Sequence, residues 1–166
     1  MDGNNRWSKI NSLNQYKSYK KGAQKIISIS QYIFSNYDVK FISAFALSKN
    51  NLKRSQKIIT LIKKILYEAL ENFDENKYNF DLNFIGDFSF LDKEVQYKIN
   101  KLNNINNYKN KLLIYINYSG QSDIENASKK IKKSNNFKKY LATSFLPNPD
   151  ILIRTGGFSR ISDFML

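Results

Sequence analysis

The segment Asp2-Gly3-Asn4-Asn5-Arg6-Trp7 concentrates groups that handle phosphate. Gly3 permits a tight turn in which successive backbone N–H groups can face an anion. Arg6 adds a planar donor fork that matches phosphate oxygens, and Asp2 is a hard carboxylate of the kind that holds Mg²⁺. The competing reading of the segment is a frayed terminus. A second cluster, Ser48-Lys49-Asn50-Asn51-Leu52-Lys53-Arg54, brings hydroxyl, amide and guanidinium groups together; alone, it fits a helix cap around Ser55 with a solvated basic flank. The third is Arg154-Thr155-Gly156-Gly157-Phe158-Ser159-Arg160-Ile161-Ser162, with two arginines, two glycines and three hydroxyls. The glycines let a ligand approach the backbone, and the arginines can grip a diphosphate through paired N–H donors. Arg154 directly follows an apolar stretch, so its charge needs a partner.

Composition narrows the chemistry further. The 166 residues contain no cysteine and no histidine. Thiolate catalysis, disulfides, a Ser-His triad and His-ligated zinc are therefore excluded. Net charge is +13, which suits nucleic acid, anionic lipid or phosphorylated substrates. Lys, Asn and Ile recur throughout, so most of the charge reads as compositional bias rather than a binding patch. No apolar run is long enough to span a bilayer, and the start lacks the apolar stretch of a signal peptide; a cytoplasmic location is the expectation.

These clusters need elements to position them. Residues 22–36 place Ile26, Ile29 and Ile33 at helical spacing. Residues 39–47, 80–85 and 111–116 are rich in β-branched, aromatic and aliphatic residues and predict strands, with 151–153 as a short fourth. Residues 55–73 predict the clearest helix, with one broad apolar face from Ile58, Ile59, Leu61, Ile62, Ile65, Leu66, Ala69, Leu70 and Phe73. Helices are also expected at 91–102 and at 122–134, the latter basic on its exposed side, and 103–110 is an Asn-rich loop without evident chemistry. Strands separated by helices imply βαβ units, and hence an α/β fold with a mostly parallel central sheet. Ligands in such sheets bind beyond the carboxyl ends of the strands, which selects the loops 48–54, 117–123 and 154–162.

Taken in order, the motifs resemble those of the cis-prenyltransferases, the undecaprenyl-diphosphate synthase family. The start is similar to the family's Met-Asp-Gly-Asn-Gly-Arg-Trp except at Asn5; Ser48, Asn51 and Arg54 match a middle Ser-x-Glu-Asn-Trp-x-Arg loop; and 153–164 matches Ile-Arg-Thr-Gly-Gly-x-x-Arg-x-Ser-x-Phe. Ile85-Gly86-Asp87 and Asn117-Tyr118-Ser119-Gly120 resemble two further landmarks. The resemblance implies condensation of isopentenyl diphosphate with an allylic diphosphate such as farnesyl diphosphate, Mg²⁺ as cofactor, a homodimer, and work near the membrane. It assigns Asp2 to Mg²⁺ and the leaving group, and Gly3, Asn4, Asn5 and Arg6 to the allylic diphosphate. Trp7 lies beside the prenyl chain, Ser48 and Asn51 near the reacting centre, Asn51 in the position of proton removal, and Arg54 on substrate. Arg154, Arg160 and Ser162 correspond to the isopentenyl-diphosphate clamp.

There are departures from the pattern. Tyr19 stands at a usual histidine in a Gly-His-x-x-Gly-like stretch of which Gly22 is kept, and it inherits a substrate-facing assignment. Gln15 replaces an arginine, Asn50 a glutamate, Leu52 an aromatic, Phe158 an acidic residue and Ser159 a histidine. The family also has a strand ahead of the Met-Asp-Gly segment and a further metal-binding glutamate past the final Phe. The expectation is thus one partial domain over 1–166 with an undecaprenyl-diphosphate-synthase-like fold lacking the usual first strand and C-terminal part. The alternatives are a catalytically impaired relative that binds diphosphate or a partner subunit, and a basic nucleic-acid binder. The spread of charge and the lack of an RNA-binding signature argue against nucleic acid.

Overall fold

The computed structural model describes residues 3–52, 56–131 and 136–165. Its centre is a three-stranded parallel sheet in the order β1–β3–β2, from β1 (Phe41–Ser48), β2 (Asp81–Gly86) and β3 (Lys111–Tyr118). Parallel strands covered on both faces read as continuous apolar runs, and β3 in the middle is the clearest case. Leu112, Leu113 and Tyr115 are fully buried, with Leu112 and Ile116 facing one side and Leu113 and Tyr115 the other.

Helices α1 (Asn4–Ile10), α2 (Gln15–Asn36), α3 (Lys49–Leu52), α4 (Gln56–Glu71), α5 (Lys93–Asn103) and α6 (Gly120–Lys130) complete the fold. Asn14 starts α2 by accepting a hydrogen bond from the Lys17 backbone N–H at 2.8 Å. The larger core joins Phe34 of α2, Leu66 and Leu70 of α4, and Val95 and Ile99 of α5 to Leu82, Phe84, Leu112 and Ile116 of the sheet. Of the expected apolar face, Ile62, Leu66, Leu70 and Phe73 pack in this core and Ile65 is buried, whereas Ile58, Ile59 and Leu61 are half-buried and Ala69 is exposed. A smaller core on the opposite face joins Ile85, Leu113, Tyr115 and Tyr118 to Phe45, Leu146, Phe164 and Met165. Phe164 stacks on Phe45 at 4.8 Å and meets Tyr115 edge-on at 5.1 Å, which brings the segment after Arg154 back onto the sheet.

One expected element is absent. Residues 151–153 form no strand; Ile151 and Ile153 are about four-fifths exposed. A strand exists only by pairing, and among the described residues only β3 pairs with β1. The Asn-rich loop has a structural task. Backbone N–H groups of Asn107 and Tyr108 and the Lys111 ammonium all donate to the buried Asp81 carboxylate at 3.2–3.3 Å. Asn103 pairs with both backbone groups of Phe84, accepting from its N–H at 2.7 Å and donating to its carbonyl at 3.0 Å. This side-chain amide occupies part of the open edge of β2 as a neighbouring strand would.

Candidate active site

The parallel sheet turns the three selected loops toward one end. Lys49, just past β1, donates to the Ser122 hydroxyl in the first turn of α6 at 2.8 Å. Asp87, just past β2, accepts from the Ser89 backbone N–H at 2.9 Å; this bond, the Ser89 hydroxyl and nearby Lys49 hold its carboxyl below the usual range. Asn117 at the end of β3 donates to the Asp87 carbonyl at 3.0 Å. Asp163 ties the third loop to the same place, because its carbonyl accepts from Gly120 N–H at 3.0 Å and its carboxylate from Gln121 N–H at 2.9 Å. Asp163 thus satisfies donors at the start of α6 with groups from a segment more than forty residues later.

The arginine-bearing segments meet directly. Gly3 adopts a left-handed backbone with φ 95°, and a Cβ built there would lie 3.8 Å from the Gly156 Cα. Arg6 donates to the Gly156 carbonyl. Arg154 donates to the Arg160 carbonyl and, at 2.7 Å, to the Ser162 hydroxyl, which satisfies part of its donor set. The guanidinium groups of Arg6, Arg154 and Arg160 lie 5.0, 5.7 and 5.0 Å from the centre of the Phe158 ring. Each such contact is worth about 0.5–1 kcal/mol at an exposed site. Three cations are therefore gathered in one place, the arrangement that a ligand with several anionic oxygens needs.

The other assigned residues are placed as follows. Asn4 serves the scaffold: its carbonyl accepts from Ser18 Oγ at 2.6 Å, and its side chain lies where a Cβ on Gly22 would come to 3.0 Å. The retained Gly22 is explained by that close approach. Asn5 accepts from the Gln15 amide at 3.0 Å, so the residue replacing the family's arginine docks α2 onto α1. Trp7 is exposed, with the Lys21 ammonium 5.5 Å from its ring. The half-buried Tyr19 and Ser48 hydroxyls and the Asn51 amide make no hydrogen bond among the described residues, so nothing in their contacts joins them to the arginines. Asp2 and Arg54 lie outside the described residues, as do Ser55 and Lys132 to Lys133 of the expected basic helix. A cavity of about 390 Å³ beside β2, lined by Asn83, Phe84, Gly86, Phe88 and Phe145 among others, includes none of the assigned residues.

Sequence reasoning missed Asp163 and treated Phe158 only as a departure. The available signal for Asp163 was its position between Ser162 and the packed Phe164; for Phe158 it was an aromatic side chain between two arginines.

Comparison with known proteins identifies the family. The undecaprenyl diphosphate synthase family model matches residues 1–166. A ditrans,polycis-undecaprenyl-diphosphate synthase of Buchnera aphidicola is 34% identical over all of this chain and 73% of its own length. A tritrans,polycis-undecaprenyl-diphosphate synthase of Pyrobaculum aerophilum is 31% identical, over 99% of this chain and 76% of its own. Among solved structures, a probable undecaprenyl diphosphate synthase from Campylobacter jejuni is 27% identical with a TM-score of 0.66, covering 87% of this chain and 73% of its own. The fold also matches lavandulyl diphosphate synthase from Lavandula x intermedia, with a TM-score of 0.83 at 24% identity over 100% of this chain and 79% of the other. The fold is the α/β fold of these structures, and the family model and the relatives make the protein one of a class of enzymes that transfer prenyl groups. The chain belongs to the undecaprenyl diphosphate synthase family, the cis-prenyltransferases.

Proposed function

We propose that this chain condenses isopentenyl diphosphate with an allylic diphosphate such as farnesyl diphosphate to give a cis-polyprenyl diphosphate, with 1–166 acting as one domain. The observation that carries the proposal is the meeting of two distant segments: Arg6 reaches the Gly156 carbonyl, so that Arg6, Arg154 and Arg160 share one neighbourhood. Loss of diphosphate from an allylic carbon develops negative charge on phosphate oxygens. Guanidinium groups fixed beforehand stabilise that charge without rearranging during the reaction. Gly3 and Gly156 keep the backbone free of side chains where the two segments meet. Ser162, held by Arg154, is a hydroxyl within the same cluster.

Magnesium belongs to the proposal through the resemblance alone. Among the described residues no three carboxylates come together to hold a metal, and Asp163, Asp123 and Asp87 are each engaged by hydrogen bonds. The assigned ligand is Asp2, which lies outside the described residues; one carboxylate together with substrate phosphate oxygens would suffice to hold Mg²⁺, which would supply positive charge to the leaving diphosphate. Ser48, Asn51 and Arg54 keep their proposed places at the reacting centre and on substrate, and Trp7 and Tyr19 beside it, on the match of motif positions. A cytoplasmic homodimer at the inner face of the membrane is proposed on the same ground. Among the described residues no helix is long and apolar enough to cross a membrane.

The test is turnover: protein, Mg²⁺, farnesyl diphosphate and labelled isopentenyl diphosphate, followed by lipid extraction. Labelled polyprenyl product is expected, and Arg154→Ala is expected to lower kcat/KM by on the order of 100-fold as a charge-assisted phosphate contact is lost. Folded protein that binds pyrophosphate but yields no product would instead establish the catalytically impaired relative.

A further inference from the structure

The ring shared by the three arginines does more than fill space. Phe158 is 45% exposed, and its ring lies against Arg6 at 5.0 Å, Arg154 at 5.7 Å and Arg160 at 5.0 Å. Three like charges repel one another and disperse unless something holds them. Two of them, Arg6 and Arg160, form no ion pair among the described residues. Backbone contacts account for part of the assembly, since Arg6 reaches Gly156 and Arg154 reaches the Arg160 carbonyl. The Arg160 guanidinium has no such anchor; its described contact is the Phe158 ring.

An aromatic face and a carboxylate hold arginines differently. A carboxylate accepts N–H donors and cancels one charge, so an incoming phosphate must compete with it. An aromatic ring attracts the guanidinium through its quadrupole and leaves the in-plane N–H donors free. We propose that Phe158 is a positioning residue that preassembles Arg6, Arg154 and Arg160 around its ring, so that the charges of Arg6 and Arg160, which no described carboxylate pairs, face a ligand with several phosphate oxygens. The inference rests on the diphosphate reading of this site and adds to it a preference: pyrophosphate-bearing ligands over single phosphates, because clustered guanidinium groups, two of them outside any ion pair among the described residues, reward the larger charge.

The experiment pairs titration with spectroscopy on the full chain. Inorganic pyrophosphate and inorganic phosphate are titrated calorimetrically into wild type, Phe158→Leu and Phe158→Tyr. The arginine Nε–H resonances of the same samples are recorded for ring-current shifts. Phe158→Leu is expected to weaken pyrophosphate binding about three- to tenfold. It should also narrow the preference over phosphate and return the three Nε–H resonances toward ordinary positions. Phe158→Tyr, which keeps the ring, should restore both. A Leu variant that retains wild-type affinity and unchanged resonances overturns the platform. A wild type with shifted resonances that binds no pyrophosphate overturns the diphosphate reading, and with it the ligand role given to Phe158, while showing that the ring does gather the arginines. Unfolding is separated from positioning by the Tyr variant, whose failure to rescue a folded protein also counts against the proposal.

Discussion

At the scale of single residues, the most exacting position is a glycine that carries no chemistry. Gly86 ends β2 at φ 138°, and a Cβ there would lie 1.8 Å from the Ile116 carbonyl oxygen. No side-chain rotation relieves a clash with backbone, so Gly86→Ala should cost more than about 2 kcal/mol; urea denaturation would show the loss as a lower midpoint. The motif Ile85-Gly86-Asp87 was visible in the sequence, but only as a landmark, because the close neighbour sits thirty residues later on β3. Two buried tyrosines give a pH prediction. Burial pushes Tyr115 up to about 12, and burial with nearby Asp123 and Asp163 raises Tyr118 further. A raised value favours the neutral phenol in the folded state. Their contribution is therefore intact below the ordinary tyrosine value near 10 and is lost as pH climbs through the folded values. Stability measured by denaturant from pH about 9 upward should fall, and Tyr115→Phe should make that fall shallower.

At the scale of elements, two contacts outside the sequence pattern hold the scaffold. Asn103, the last residue of α5, pairs with both polar groups of Phe84 on β2. Asn103→Ala leaves these buried groups unmatched and should cost roughly 1–3 kcal/mol, with faster amide exchange at Phe84 as the local signature. The second contact joins α2 to α4, where Glu68 accepts from Tyr16 and from Lys20 at 2.7 Å. The Lys20 bond, then the Tyr16 bond, lowers the Glu68 carboxyl, and the Glu68 bond raises the Lys20 ammonium. The lowered acid contributes above its ordinary value and is lost as pH falls through the folded one; the raised base contributes below its ordinary value and is lost as pH rises. Glu68→Gln should flatten the acid-side slope of thermal stability between pH about 5 and 3, and an unchanged slope would remove the bridge from the account. Helices and strands were legible here because their periods depend on local residue order. The expected strand at 151–153 was not, since extended, apolar sequence specifies a strand only when a neighbour offers hydrogen bonds.

At the scale of the whole molecule, the sequence rule placing ligands at strand carboxyl ends selected loops that the fold does bring into contact. It could not say that the end is tied together by Lys49 to Ser122 and by Asp163 to Gln121, because such contacts link residues far apart in order. Nor could it tell which of the 27 lysines and arginines matter for ligand. The fold concentrates three of them around one ring while Lys129 and Lys130 stay on a solvated helix face. The contact between Arg6 and Gly156 spans 150 positions. Loop-closure entropy makes so distant a contact costly until the intervening sheet has drawn the two segments together. During synthesis, residues 4–10 therefore emerge long before their counterpart exists, and β1, β3 and β2 can pair while the arginines are still apart. Completion of the arginine cluster is thus expected late in folding, and the proposed diphosphate ligand, bridging both segments, would act as a clasp on the finished chain, slowing its opening where the two distant stretches meet.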